Sequence, residues 1–150
     1  MKTLFAGIFM LSAMLMMSCS NKDGKTENAG NDSLAVSENV AKIQALYFHG
    51  TRQCPSCIAI GEETQKLLKS DFQSQMNAGE ISFREINVDE EANFKIAEKY
   101  QVAGSALLIV KTVNGKEEIN DLTGDGFKLA LNMSDMFREK LKAAIDNYLK

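Results

Sequence analysis

From Val40 to the C-terminus, the sequence predicts a mixed α/β sandwich, in which helices flank a sheet of parallel and antiparallel strands. Three observations predict it: strand-like and helix-like patterns alternate, an Asn114-Gly115 dipeptide separates two β-rich runs, and an amphipathic pattern ends the chain. Alternating segments predict parallel strands joined by right-handed helical crossovers, and Asn-Gly is a strong signal for a two-residue hairpin. We therefore expect a parallel β-α-β core plus a C-terminal β-hairpin.

The first strand and helix meet at a pair of cysteines. Apolar residues from Val40 to Phe48 predict a buried strand that ends at His49. A helical pattern begins at Pro55, and proline is favoured at the first position of a helix. Cys54 is therefore the expected N-cap residue of this helix.

The next segments repeat the alternation. Gly79 ends a second helical piece, the run from Ile81 to Val88 predicts a strand, and the run from Glu90 to Tyr100 predicts a helix. The apolar side of this last helix is expected to contain Phe94, Ile96, Ala97 and Tyr100.

The last part of the chain completes the sheet and adds a helix. Ala106 to Val113 predicts a third strand, and Glu117 to Leu122 is expected to return antiparallel to it. The glycine-rich segment from Thr123 to Gly126 predicts a loop, after which Ser134 is expected to cap the final helix. The apolar stripe of that helix contains Phe137, Leu141, Ala144, Ile145 and Tyr148.

Composition narrows the class of protein. The 150 residues are 45% hydrophobic and 25% charged, with three cysteines and a net charge of -3, which describes an ordinary globular domain and not a disulfide-stapled miniature fold. A slightly acidic chain has no basic surface for a phosphate backbone, so we expect no nucleic-acid partner. A single histidine argues against most zinc sites and against histidine-dependent catalysis, and we expect no metal site.

The N-terminus predicts export. Lys2 precedes an uncharged apolar run from Leu4 to Met17, which is shorter than the roughly 20 residues that span a bilayer. Small polar residues follow at Ser18, Cys19 and Ser20, as in a secretory signal. We expect residues 1–18 to be a signal peptide.

The end of this segment resembles the signals of bacterial lipoproteins, in which small residues precede a cysteine that becomes lipidated. The resemblance implies that Cys19 is the lipid anchor, whereas ordinary secretion would cleave after Ser20, and an uncleaved segment is a third reading. Residues 19–39 are rich in Asn, Ser, Asp, Lys and Gly, which predicts a flexible tether. The expected location is the bacterial cell envelope, lipid-anchored and facing the periplasm or the cell exterior.

The motif Cys54-Pro55-Ser56-Cys57 is placed where a strand leads into a helix. Unpaired amides and roughly +0.5 of a charge at a helix N-terminus favour a thiolate there. About 2 kcal/mol of such stabilisation would lower a thiol pKa from about 8.5 by about 1.5 and leave roughly half of the sites ionised at pH 7. Arg52 can add to this effect, and Cys57, one turn further, is expected to face inward as a protonated thiol.

From Val40 onward, the chain resembles the thioredoxin-like superfamily. The resemblance is carried by the strand ending in Tyr47-Phe48-His49-Gly50, the cysteine motif at a helix start, a strand ending in Asn87-Val88-Asp89, and the final hairpin and helix. It implies a thioredoxin-like domain over residues 40–150 that exchanges protein thiols and disulfides. Cys54 would attack and Cys57 would resolve, with an upstream redox partner, no cofactor beyond this dithiol, and a monomeric protein.

Several positions depart from the pattern of that superfamily. Ala106 stands where a cis-proline usually begins the third strand, and Phe48 stands where thioredoxins have a buried aspartate. Gln53 replaces the aromatic residue before the first cysteine, and Glu85, where a lysine is common, is a candidate substitute carboxylate.

Other interpretations of the cysteine pair remain open at this stage. Two cysteines of an exported protein can form a structural disulfide, and a thiol pair can hold two-coordinate copper(I). The competing class is therefore a non-catalytic thioredoxin-like module that binds a partner or a metal.

Overall fold

The computed structural model describes residues 41–150. The predicted signal peptide, the predicted lipidation of Cys19 and the predicted tether fall within residues 1–39, outside the described residues, and stay predictions. Within residues 41–150, no helix combines the length and the apolar character needed to cross a membrane.

The elements alternate much as the sequence predicts. In chain order they are β1 (Ile43–His49), α1 (Pro55–Asp71), α2 (Gln73–Asn77), β2 (Ile81–Asn87), a 3-10 turn (Glu91–Asn93), α3 (Phe94–Lys99), β3 (Ala106–Val113), β4 (Lys116–Asp121), α4 (Thr123–Leu129) and α5 (Ser134–Leu149).

The four strands form one mixed sheet in the order β2-β1-β3-β4. β1 and β2 are parallel, β3 is antiparallel to β1, and β4 is antiparallel to β3, so β3 alone among these four runs against the others. A parallel β-α-β unit followed by a hairpin, with this strand order, is the thioredoxin-like arrangement, and the predicted fold class is confirmed.

Hydrophobic side chains cover both faces of the sheet. Successive strand residues point to opposite faces, so Tyr47 lies in the larger cluster with α1, α4 and α5, while Phe48 lies in the smaller cluster on the other face. Phe48 is fully buried there, and it pairs with Ala106 on β3. The position at which thioredoxins have an aspartate is therefore purely apolar in this protein.

The hairpin and the final helix also follow the prediction. Asn114 and Gly115 both have positive φ, 51° and 75°, as a type I′ turn requires. Four residues of the predicted stripe of α5 are buried, namely Phe137, Leu141, Ala144 and Ile145.

The predicted loop from Thr123 to Gly126 is wrong, because this segment begins the helix α4. The backbone of α4 packs closely on α1: a Cβ atom at Gly126 would lie 2.9 Å from Cγ1 of Ile60. Gly126 is thus a helix-packing glycine, and burial of Leu129 and Ala130 offsets the low helix propensity of the segment.

Two helix boundaries also differ from the prediction. The segment from Glu90 to Tyr100 forms a 3-10 turn and a six-residue helix. Of the predicted apolar side, Ala97 is buried and Ile96 and Tyr100 pack partly buried against the smaller cluster, whereas Phe94 is 54% exposed. Ser134 is the first residue of α5 and not its cap, because the carbonyl of Met133 accepts the first helical hydrogen bond, from the amide of Phe137.

Candidate functional site

Cys54 and Cys57 form a disulfide at the start of α1, with their Cα atoms 5.0 Å apart. Cys54 is the N-cap residue, with an extended backbone, and Pro55 begins the helix, as the sequence predicts. The amide of Cys57 donates to Sγ of Cys54 at 3.1 Å. This sulfur therefore occupies the place of a capping oxygen, where it meets an otherwise unpaired N–H group of the first turn.

The two cysteines differ in accessibility. Cys54 is exposed, whereas Cys57 is only 7% exposed. Pro55 is exposed and Ser56 is partly buried, and Arg52 is exposed in the loop that precedes the motif. A sulfur atom of another molecule can therefore reach Cys54, whereas the surrounding protein shields Cys57.

Tyr47, near the end of β1, is a site residue whose contacts the sequence analysis missed. Its side chain is buried, and its hydroxyl donates to the carbonyl of Cys57 and lies 3.1 Å from Oε1 of Gln53. Its ring packs on α1 at Gly61, where a Cβ atom would lie 2.8 Å from Cε1 of the tyrosine. A signal was available: buried tyrosine hydroxyls usually have a partner, and Tyr47 is on the inward-facing side of a buried strand.

The environment of Tyr47 keeps it protonated. Burial of the phenol, followed by the charge of Glu85 on β2, raises the pKa of Tyr47 to about 12, and a hydrogen bond with Ser105 opposes this rise. Ser105 directly precedes Ala106 at the start of β3. The neutral hydroxyl of Tyr47 thus lies close to the loop before Cys54, to the first turn of α1 and to the residue before β3.

Asp89, just after β2, binds the loop before Cys54. Its Oδ2 accepts a hydrogen bond from the amide of Thr51 at 2.7 Å, and this bond is the main reason why the pKa of Asp89 is lowered. Asn87 donates to the hydroxyl of Thr51 at 3.2 Å and accepts from the amide of Asp89 at 3.1 Å. The carboxyl end of β2 therefore anchors the loop that carries Arg52 and Gln53.

The remaining predicted residues surround this core of the site. Glu85 is exposed, pairs with Tyr47 across β1 and β2, and has Oε1 3.5 Å from the Cβ position of Gly61. Ala106 begins β3 and is buried. His49 stacks on the ring of Tyr47 with ring centroids 5.5 Å apart.

Metal ligands do not cluster in the described part of the chain: residues 41–150 contain no group of three or more His, Cys, Asp or Glu side chains that could hold a metal ion. The arrangement does provide a disulfide between one accessible and one shielded cysteine, at the N-terminus of a 17-residue helix.

The fold and the cysteine pair together define the class: a thioredoxin-like α/β domain with a disulfide at the start of its first helix. No family model and no curated protein matches the chain. Among solved structures, it is similar to a thioredoxin from Thermus thermophilus, at 18% identity and a TM-score of 0.46 over 69% of this chain and 74% of that chain. It is also similar to a chain described as a malarial protein, at 19% identity and a TM-score of 0.41 over 66% of this chain and 96% of that chain.

Proposed function

We propose that this protein is a thiol-disulfide oxidoreductase that acts on protein thiols or disulfides through Cys54 and Cys57. The observation that carries the proposal is the disulfide between an exposed N-cap cysteine and a buried cysteine one turn later. A bridge that closes so short a loop adds little stability, whereas a helix N-terminus lowers the pKa of a thiol and makes it reactive.

The proposed reaction starts from the reduced dithiol. The Cys54 thiolate attacks one sulfur of a substrate disulfide, that S–S bond breaks, and the other substrate sulfur leaves as a thiolate that takes up a proton. Cys57 then loses its proton and attacks Sγ of Cys54, which releases the second substrate thiol and forms the Cys54-Cys57 disulfide. Two electrons pass from the dithiol to the substrate, and the same steps in reverse oxidise a substrate dithiol. An upstream thiol-disulfide partner restores the starting state, and no further cofactor takes part.

Residues around the pair have proposed supporting roles. Glu85 is the carboxylate that takes the Cys57 proton in place of the missing aspartate, because it lies beside Gly61, one turn after Cys57. Arg52 adds positive charge next to the Cys54 thiolate, and Ala106 forms part of the edge that meets the substrate.

The proposed place of action is the bacterial cell envelope. It rests on the signal-like residues 1–18 and on Cys19 as a lipid anchor, with residues 19–39 as the tether. Growth with a labelled fatty acid tests this part: the label is expected on the wild-type protein and absent from Cys19→Ser. Label that persists in Cys19→Ser would contradict the anchor.

Trapping of mixed disulfides tests the central reaction. Cys57→Ser removes the resolving thiol, so disulfide-linked complexes with envelope proteins are expected to accumulate and to disappear on treatment with dithiothreitol. Cys54→Ser is the matched control and is expected to trap nothing, because Cys57 is buried. Equal trapping by both variants, or by neither, would favour the non-catalytic binding module.

A further inference from the structure

The Tyr47 hydroxyl touches both ends of the segment that carries the reactive cysteines. It donates to the carbonyl of Cys57 and lies 3.1 Å from Oε1 of Gln53, the residue before Cys54. The contacts connect the end of β1 to the first turn of α1.

The ring of Tyr47 is buried between α1 and His49. The residue is 2% exposed, and it fills the space that a side chain at position 61 would need. On its other side, it stacks against His49. The ring is therefore packed on two sides, and its hydroxyl attaches the first turn of α1 to the end of β1.

The orientation of that first turn controls one hydrogen bond to the attacking sulfur. The amide of Cys57 is directed at Sγ of Cys54 at 3.1 Å. Such a bond weakens steeply when its angle worsens, and it stabilises a thiolate more than a neutral thiol. A small rotation of the first turn would therefore lower the acidity of Cys54.

We infer that Tyr47 is a positioning residue for the Cys54 thiolate: its hydroxyl, bonded to the Cys57 carbonyl, holds the first turn of α1 so that the Cys57 amide points at Sγ of Cys54. The inference rests on the proposed function and deepens it. The raised pKa of Tyr47, about 12, supports it because the phenol remains a neutral donor throughout the range in which thiols react.

The test compares Tyr47→Phe with wild type in the full chain, by the pH dependence of iodoacetamide alkylation at Cys54 in the reduced protein. Peptide mass analysis separates Cys54 from Cys57 and Cys19. Tyr100→Phe is the matched control, because it removes another tyrosine hydroxyl, which donates to Glu117. The charged or titratable neighbours include Glu85 on β2, His49 on β1, Arg52 in the loop and Asp89, which accepts the amide of Thr51, and they are unchanged in both variants.

In Tyr47→Phe, we expect alkylation of Cys54 at pH 6 to be at least about threefold slower than in wild type, with the same plateau rate at high pH. This threefold loss of thiolate corresponds to about 0.7 kcal/mol. Tyr100→Phe is expected to match wild type. A lower plateau with an unchanged midpoint would show a loss of access or of fold and would overturn the inference, as would a profile identical to wild type.

The same profiles separate the inference from the proposed function. If the alkylation rate of Cys54 in wild type has its pH midpoint well below 8.5, and Tyr47→Phe has the same midpoint, only the role of Tyr47 is overturned. A wild-type midpoint at about 8.5 overturns both. If Tyr47→Phe does not fold, Gly61→Ala serves as a second variant, because its Cβ displaces the ring while the hydroxyl remains, and it is expected to slow alkylation at pH 6 in the same way.

Discussion

Gly61 and Tyr47 are in such close contact that an alanine Cβ at position 61 would lie 2.8 Å from Cε1 and 3.0 Å from Cδ1 of the tyrosine ring. Glycine in the middle of a helix costs about 1 kcal/mol relative to alanine. Here that cost is offset by the packing of β1 directly on α1. The contact also places the tyrosine hydroxyl at the Cys57 carbonyl.

The first prediction concerns Gly61→Ala. Overpacking costs about 1–3 kcal/mol and exceeds the gain in helix propensity, so the free energy of unfolding is expected to fall by about 1 kcal/mol. Urea denaturation followed by circular dichroism measures it. A variant more stable than wild type would show that the ring moves aside at no cost.

The two glycines of α4 are predicted to respond in opposite directions. Gly126→Ala places a Cβ 2.9 Å from Cγ1 of the buried Ile60 and, after the gain in helix propensity is subtracted, is expected to lower the free energy of unfolding by about 1 kcal/mol. Gly124→Ala meets no atom within 4 Å and is expected to raise it by about 0.4–1 kcal/mol. The same urea titration compares both, and a stabilising Gly126→Ala would contradict the packing of α4 on α1.

Acidification is predicted to release the loop before Cys54. The folded-state pKa of Asp89 is below its ordinary value because the carboxylate accepts the Thr51 amide. Its contribution to stability is therefore present above about pH 3.9 and is lost as the pH falls through the folded-state pKa. The amide shift of Thr51 in an NMR titration is expected to report a midpoint below 3.8. In Asp89→Ala this transition is expected to be absent, and its persistence would assign it to another group.

Alkaline conditions are predicted to act through Tyr47. Its folded-state pKa, about 12, lies above the ordinary value of 10.0, so the unfolded chain loses the phenolic proton first. The associated stability is present below about pH 10 and is lost as the pH rises toward 12. Thermal unfolding at pH 8 and pH 11 is expected to show a larger decrease in melting temperature for wild type than for Tyr47→Phe. Equal decreases would mean that Tyr47 is not shielded from solvent.

Local signals predicted most of the fold from the sequence. The β-rich runs, the Asn114-Gly115 turn and the apolar stripe of α5 each depend on residues close together in the chain, and each is found. The N-cap position of Cys54 was predictable for the same reason, since Pro55 marks the start of α1.

The unpredicted parts depend on contacts between distant residues. α4 contains Gly124 and Gly126, which locally favour a loop, and only its packing on Ile60 explains a helix there. Likewise, the bond between Thr51 and Asp89 joins residues 38 positions apart, and no local pattern indicates it. The sequence therefore predicted the position of the cysteine pair at the start of α1, whereas the groups that contact this segment became evident only from the tertiary structure.

The reduction potential of the Cys54-Cys57 pair tests the central claim most directly. The full chain is equilibrated with glutathione buffers, and free thiols are trapped and counted at each of the two cysteines. We predict a value between about −120 and −270 mV, the range of exchange enzymes, and its position there distinguishes an oxidant from a reductant. A value below about −300 mV would identify a stable structural bridge and contradict the proposed function.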